Sequence, residues 1–176
     1  MKFQRAHGLR VTGKVDAATA SALGLTSQPT PAPSPPVTVF MRARPLVKGP
    51  CWYGDTWHAA RGSGRVHLGV DIGAPEGTLL QAVVSGRVIQ VYRDRPGSLS
   101  GNGVKIAMSD GTYFFYAHLA SIAPGIQLGV PVAAGQVIGT IGSTGNAAIT
   151  HLHFEVHPRG GPAVNPYPLV KSIGAC

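Results

Sequence analysis

The sequence predicts a mainly β protein, an antiparallel sheet or sandwich preceded by a short helical segment. Three observations carry this. Short apolar, β-branched runs recur at close spacing over the second half of the chain. Glycine and proline, 24 and 15 of 176 residues, punctuate those runs, and long amphipathic stretches of helical period are scarce. Hydrophobic residues at 44% against charged residues at 12% supply enough apolar material for a core, which excludes a wholly disordered chain. No uninterrupted apolar stretch of about 18 residues occurs, so no membrane-spanning helix is expected.

In chain order, residues 1–25 form the first block. Val15 to Leu23 predicts a short helix, with Asp16 as N-cap, Ala17, Ala18 and Ala20 as helix formers and Gly24 as the stop. Phe3 to Leu9 precedes it, and Val11 to Lys14 reads as a turn. A block of about 25 residues cannot bury a core of its own. Residues 26–37 are uncharged, with proline at almost every second position, and predict a semi-rigid polyproline spacer. Residues 38–176 are expected to be the folded domain. Within it, Leu79 to Val84 and Arg87 to Tyr92 flank Ser85-Gly86 and read as a hairpin. Val104 to Met108 and Thr112 to His118 flank Ser109-Asp110-Gly111 and read as a second one. Val137 to Ile141 and His151 to His157 complete the predicted strands.

The chain has two cysteines, Cys51 and Cys176, whose spacing fits neither a zinc knuckle nor a redox pair. Either they are two buried thiols, or they form a disulfide that ties the last residue to the entrance of the folded segment. The disulfide is the favoured reading, and it implies an oxidising compartment. Fifteen Lys and Arg against seven Asp and Glu give a net charge of +8, which favours association with a polyanion. The basic residues are scattered and no nucleic-acid-binding motif is present, so nucleic acid is not the expected partner.

Histidines carry the chemistry. In His151-Leu152-His153-Phe154-Glu155-Val156-His157 polar and apolar residues alternate. On a strand the three histidines and Glu155 share one face, with residues two apart about 7 Å from each other. A plain solvated face is the competing reading. In His67-Leu68-Gly69-Val70-Asp71, the surrounding glycines and β-branched residues disfavour helix. A straight strand would separate His67 and Asp71 by about 13 Å. They meet only if the chain bends, and Gly69 permits a bend. With one strand histidine, the pair would supply three ligands of the types zinc accepts, leaving a fourth position for water. His118 ends the apolar run Tyr113 to Ala117 and is either a hydrogen-bonded structural residue or part of the same site.

The combination of His67-x-x-x-Asp71, Tyr116-Ala117-His118-Leu119 and His151-Leu152-His153-Phe154-Glu155 resembles the lysostaphin-like (LytM-type) zinc endopeptidases that cut peptidoglycan. Gly69 to Thr78, Gly135 to Gly139, Gly142 to Asn146 and Asn165 to Pro168 match in the same order, so the resemblance runs from about Gly54 to Pro168. It implies a β-sheet core with a loop-roofed groove. It also implies one zinc ion per chain held by His67, Asp71 and His153, with His118 and His151 as non-ligand catalytic histidines. Residues 3–25 resemble the later part of a small helical peptidoglycan-binding module. The module's earlier part has no counterpart, so the natural reading frame is expected to begin upstream of Met1. Met1 to Arg5 leads into no apolar h-region, so an export signal is expected in the upstream part.

The resemblance thus implies a zinc-dependent endopeptidase acting on peptidoglycan, extracellular or associated with the cell wall, and expected to be a monomer. A non-catalytic wall-binding or regulatory member of the same fold is the alternative. A lipoyl- or biotin-carrier-like domain is a third reading, weakened because Lys105 lies within an apolar strand and not at a hairpin tip. Glu155 either orients His153 or pairs with an arginine. Asn102 is a turn residue or lines the groove. Of Trp52 and Trp57, at least one is expected in the core.

Overall fold

The computed structural model describes residues 2–12, 14–23 and 46–176. The chain forms two compact units, Met1–Val37 and Thr38–Cys176. The proline-rich spacer expected at 26–37, the helix stop at Gly24 and the expected start of the folded domain at residue 38 lie outside the described residues.

In the first unit, α1 (Lys2–Ala6) and α2 (Ala17–Ala22) are joined through the buried side chain of Gln4. Its amide donates to Thr19 Oγ1 at 2.8 Å. Asp16 caps α2 as the sequence predicts, accepting the Thr19 N–H at 2.9 Å. The helix at α1 is an addition to the one expected.

The second unit is built on one antiparallel sheet. Its strands are β1 (Val47–Lys48), β2 (Trp52–Tyr53), β3 (Val70–Gly73), β4 (Leu79–Gln81) and β5 (Gly86–Tyr92). They continue as β6 (Asn102–Ala107), β7 (Tyr113–Ile122), β8 (Pro131–Val132), β9 (Val137–Ile141) and β10 (His151–His157). The order is β1-β4-β9-β7-β10-β3-β2, with β6, β5 and β8 branching from β7. A helix, α3 (Tyr167–Ile173), follows and buries Leu169 and Val170. The mainly β, antiparallel architecture is the one the sequence predicts.

Two expectations are corrected. The segment from Leu79 to Tyr92 is not a hairpin: β4 pairs with β1 and β9, whereas β5 pairs with β6 and β8. Ala82, Val83 and Val84 are apolar because they cross the core, not because they extend a strand. The first two find long-range backbone partners, Ala82 N–H donating to the Gln136 carbonyl and Val83 N–H to Tyr116 Oη. The second correction concerns β7, which does not end at His118. Tyr113 to Ala117 pairs with β10 and Leu119 to Ile122 pairs with β9. The strand changes partners at a bulge where His118 takes a φ of 65°.

The hairpin joining β6 and β7 forms as expected, with the Gly111 N–H donating to the Met108 carbonyl at 3.1 Å. The core is one apolar cluster. It holds Leu152 and Phe154 from β10, Phe114 and Tyr116 from β7, and Val70 and Ile72 from β3. Each strand therefore turns its alternate residues to the opposite face, and that face carries the histidines. Cys51 and Cys176 are disulfide-bonded, with Cα atoms 5.6 Å apart and 125 residues between them in sequence. The Val47 N–H donates to the Ala175 carbonyl at 2.8 Å, so the C-terminus lies along the sheet edge.

Candidate metal centre

His153 sits in the middle of β10, paired with Asp71 on β3 and with Ala117 on β7. Partners directly opposite in an antiparallel pair project to the same side, which puts His153 and Asp71 on one face. The chain bends at Gly69 and carries His67 back to the same point. Gly69 serves by its small size: a β-carbon there would lie 2.5 Å from the Phe154 carbonyl oxygen and 2.7 Å from His153 Cε1. His67 Nε2 lies 2.8 Å from His153 Nδ1 and 3.0 Å from Asp71 Oδ1. His153 Nδ1 and Asp71 Oδ1 are 3.3 Å apart.

The hydrogen-bond partners select the tautomers, because carbonyls and carboxylates only accept. His67 Nδ1 donates to the Thr56 carbonyl at 2.7 Å, which leaves a lone pair on Nε2. His153 Nε2 donates to Glu155 Oε1 at 2.8 Å, which leaves a lone pair on Nδ1. In these neutral forms two nitrogen lone pairs and a carboxylate oxygen face one another with no proton between them. Such a donor set fits a cation. Zinc with bonds of about 2.0 to 2.2 Å in a tetrahedron separates its ligand atoms by about 3.3 to 3.6 Å. The observed 2.8, 3.0 and 3.3 Å reach that edge only between His153 and Asp71, so the three atoms would spread by a few tenths of an ångström around an ion.

Two further imidazoles border the three ligand atoms. His151, at the start of β10, donates from Nδ1 to the Ile149 carbonyl at 2.8 Å and places Nε2 3.5 Å from Asp71 Oδ1. His118 donates from Nδ1 to the Thr144 carbonyl at 2.8 Å. Its ring centroid is 4.7 Å from that of His151 and 5.9 Å from that of His153. The left-handed backbone at His118 is a strained conformation for a non-glycine residue, of order 1 to 3 kcal/mol. It is held by the Thr144 contact and by the His118 N–H donating to the Ser100 carbonyl.

The electrostatics follow from burial and these contacts. With no cation in the site, where His153 and His67 can turn a proton toward it, burial pushes the Asp71 carboxyl up but their hydrogen bonds outweigh this and hold the group well below the usual carboxylate range. Burial likewise raises Glu155, and its bonds to His153 and His157 overcome this and bring it down to about 2. Desolvation drives His118 down to about 4, against the pull of the Thr144 carbonyl. For His153, burial favours the neutral ring, but Asp71 and Glu155 prevail and raise it.

All five residues singled out from the sequence, His67, Asp71, His118, His151 and His153, meet here. Glu155 orients His153 and pairs with no arginine among the described residues; its second oxygen lies 2.7 Å from His157 Nε2. Asn102 ties loops together, with Nδ2 reaching the Leu119 carbonyl at 3.2 Å and Oδ1 accepting the Asp94 N–H at 3.0 Å. Neither tryptophan is in the core, because Trp52 is exposed and Trp57 half-buried, stacked on His58. Sequence reading missed Arg61, whose Nη2 lies 2.5 Å from Asp71 Oδ2, and Thr56, whose hydroxyl accepts the Asp71 N–H at 3.0 Å. No spacing signal marks either. Thr144 lay inside the quoted Gly142 to Asn146 motif without a role.

Comparison with known proteins gives a consistent picture. The model of peptidase family M23 matches residues 65–166, and a peptidoglycan binding domain model matches residues 1–23. The DD-carboxypeptidase/endopeptidase Mpg of Neisseria meningitidis serogroup B is 37% identical over 114 residues, covering 65% of this chain and 25% of that protein. The L-Ala–D-Glu endopeptidase of Bacillus subtilis is 34% identical over 134 residues, covering 68% of this chain and 40% of that protein. This chain therefore spans between a quarter and two fifths of the length of these curated relatives. The crystallised catalytic domain of lysostaphin from Staphylococcus simulans superposes with a TM-score of 0.58 at 30% identity, covering 69% of this chain and 92% of that domain.

Proposed function

The chain belongs to peptidase family M23, and from that premise we propose that it is a zinc-dependent endopeptidase hydrolysing peptide bonds of bacterial peptidoglycan. The observation that carries the proposal is the convergence of His67 Nε2, Asp71 Oδ1 and His153 Nδ1 as three unprotonated donors. His118 and His151 stand beside them on the same side. The names of the relatives, which include two endopeptidases and lysostaphin, support the substrate class.

In this reading His67, Asp71 and His153 hold one zinc ion. An ion held by them would supply Lewis acidity, enough to bring the pKa of a water toward ~7 and to polarise the peptide carbonyl. Arg61, on the far oxygen of Asp71, leaves Oδ1 as the oxygen for the metal. The Thr56 carbonyl and Glu155 keep His67 and His153 in the ligating tautomers. Because their Nδ1 protons are committed to the Ile149 and Thr144 carbonyls, His151 and His118 present Nε2 as an acceptor. A proton taken from the attacking water at Nε2 is then available to the leaving amine. The net charge of +8 draws the protein to anionic cell-wall polymers, and the disulfide suits an extracytoplasmic compartment.

The test is digestion of purified peptidoglycan by the zinc-loaded chain, with mass spectrometry of the released fragments. Peptide-bond cleavage is expected, abolished by a chelator and restored by zinc. His118→Ala and His151→Ala should retain zinc and lose most turnover. Either variant turning over like wild type, or an inert zinc-loaded wild type, would overturn the proposal.

A further inference from the structure

Trp52 shares a sheet face with the histidines. It lies opposite Gly73 on β3, and Gly73 lies opposite His151 on β10. Gly73 is two residues beyond Asp71, so this row of three carries its side chains on Asp71's side. The indole occupies the space a side chain at position 73 would take, since a β-carbon built there would overlap Cε2, Cζ2 and Nε1 of the ring. Tyr53, the next residue, points the other way and packs against the core. One face of the indole is thus seated on the Gly73 backbone, and yet Trp52 is 60% exposed. Ile149, two residues before His151, is 64% exposed. Two large apolar side chains, one two strands across the sheet from His151 and one two residues before it in sequence, are therefore exposed.

The reach can be worked from sheet geometry. Adjacent strands lie about 4.8 Å apart and alternate residues on one strand about 7 Å apart. Gly73, on which the ring is seated, therefore lies about 5 Å from the backbone of His151 and about 7 Å from that of Asp71. An extended peptide advances about 3.3 Å per residue. A substrate whose scissile carbonyl sits beside Asp71 and His151 would pass the indole one or two residues away. An indole face takes an aliphatic group by dispersion and displaces water from itself in doing so.

We propose that Trp52 is a specificity-determining residue whose exposed indole face receives an aliphatic side chain of the substrate peptide, one or two residues from the scissile bond. This rests on the peptidase reading above. Cys51 immediately precedes Trp52, so the disulfide to Cys176 anchors the two-residue strand that presents the ring.

The experiment compares the zinc-loaded full chain with Trp52→Ala and Trp52→Phe on purified peptidoglycan and on its sugar-free cross-linked peptides. Trp52→Ala should lose about tenfold in kcat/KM on both substrates, carried mainly by KM, with zinc content and thermal midpoint unchanged. Trp52→Phe should recover most of that loss. In a Trp57→Phe, His118→Ala background Trp52 is the sole indole, and its emission should shift as the sugar-free peptides are added. A kcat/KM for Trp52→Ala within twofold of wild type would overturn the role of Trp52. So would a defect confined to the sugar-bearing polymer, or an emission indifferent to peptide. A wild-type chain with no turnover would overturn the peptidase reading itself, and this inference with it.

Discussion

Gly69→Ala tests the geometry of the site without replacing any ligand or catalytic side chain. The added methyl would lie 2.5 Å from the Phe154 carbonyl oxygen, 2.7 Å from His153 Cε1 and 3.0 Å from His153 Nε2. Ordinary contact begins near 3.4 Å. Relief therefore requires the strand backbone at Phe154 to move by roughly 0.9 Å and the imidazole by roughly 0.7 Å. The backbone is held in the ladder between β3 and β7. Overpacking of this size costs about 1 to 3 kcal/mol. If that cost falls on the zinc-bound geometry, affinity drops by about 5- to 150-fold, at tenfold per ~1.4 kcal/mol. The assay is zinc competition against a chelating dye, with kcat/KM measured on peptidoglycan. Gly54→Ala is the control, because nothing lies within 4 Å of a β-carbon at that position. A Gly69→Ala chain with a zinc Kd within threefold of wild type and unchanged turnover would refute the account of Gly69 as a cradle for His153.

Glu155→Ala should weaken zinc binding by about 10- to 100-fold, read in the same competition, whereas Glu155→Gln keeps an acceptor for His153 Nε2 and should lose less; equal effects of the two would contradict the orienting role. In the metal-free chain, His118 has a folded-state pKa of about 4 against 6.5 for the free side chain. As pH falls the unfolded chain takes that proton first, so stability is lost between pH 6.5 and 4, by at most about 3 kcal/mol. Glu155, at about 2, extends the loss below pH 4.5, and raised His153 acts only above the imidazole range, with the opposite sign. Urea midpoints at pH 7 and 4.5 should differ, and His118→Ala should shrink the difference. Reducing the disulfide between Cys51 and Cys176 removes a link across 125 residues, with a chain-entropy contribution of about 4 to 5 kcal/mol. The unfolding midpoint should fall accordingly, and two free thiols in denatured, non-reduced protein would remove the link altogether.

The parts of the fold and site that were legible in the sequence are those governed by local periodicity. Alternation along His151 to His157 predicts both the strand and its two faces, because a side-chain period of two leaves no other arrangement that buries Leu152, Phe154 and Val156 together. The turn at Ser109-Asp110-Gly111 is equally local. What failed was long-range. The run from Leu79 to Val84 looks like half a hairpin, since burial on all sides and burial in a strand give the same apolar letters. The continuation of β7 past His118 depends on a bulge whose partners, Ser100 and Thr144, lie far away in sequence. Arg61 and Thr56 meet Asp71 only through the folded loop that precedes it, and Trp52 looks like a core residue until Gly73 is seen beneath it.

The hydrogen bonds explain why the strand carries a glutamate where it does. His67, His118 and His151 stand at a bend, a bulge and a strand end, where loop carbonyls are free to accept, and each gives its Nδ1 proton to one, from Thr56, Thr144 and Ile149 respectively. His153 has no such neighbour. It lies mid-strand, flanked by β3 and β7, where the backbone carbonyls are engaged in the ladder. Its outer nitrogen needs an acceptor from a side chain on the same face, and the nearest position with that direction is two residues along. Glu155 fills it and is in turn held by His157, whose Nε2 lies 2.7 Å from Glu155 Oε2 and whose Nδ1 lies 2.9 Å from the Gly161 carbonyl. The ring is thereby reversed relative to the other three, and Nδ1 faces the site where they present Nε2. The alternating histidines and glutamate are thus one device: the middle of a strand can offer a ligand only if the strand also brings the group that orients it.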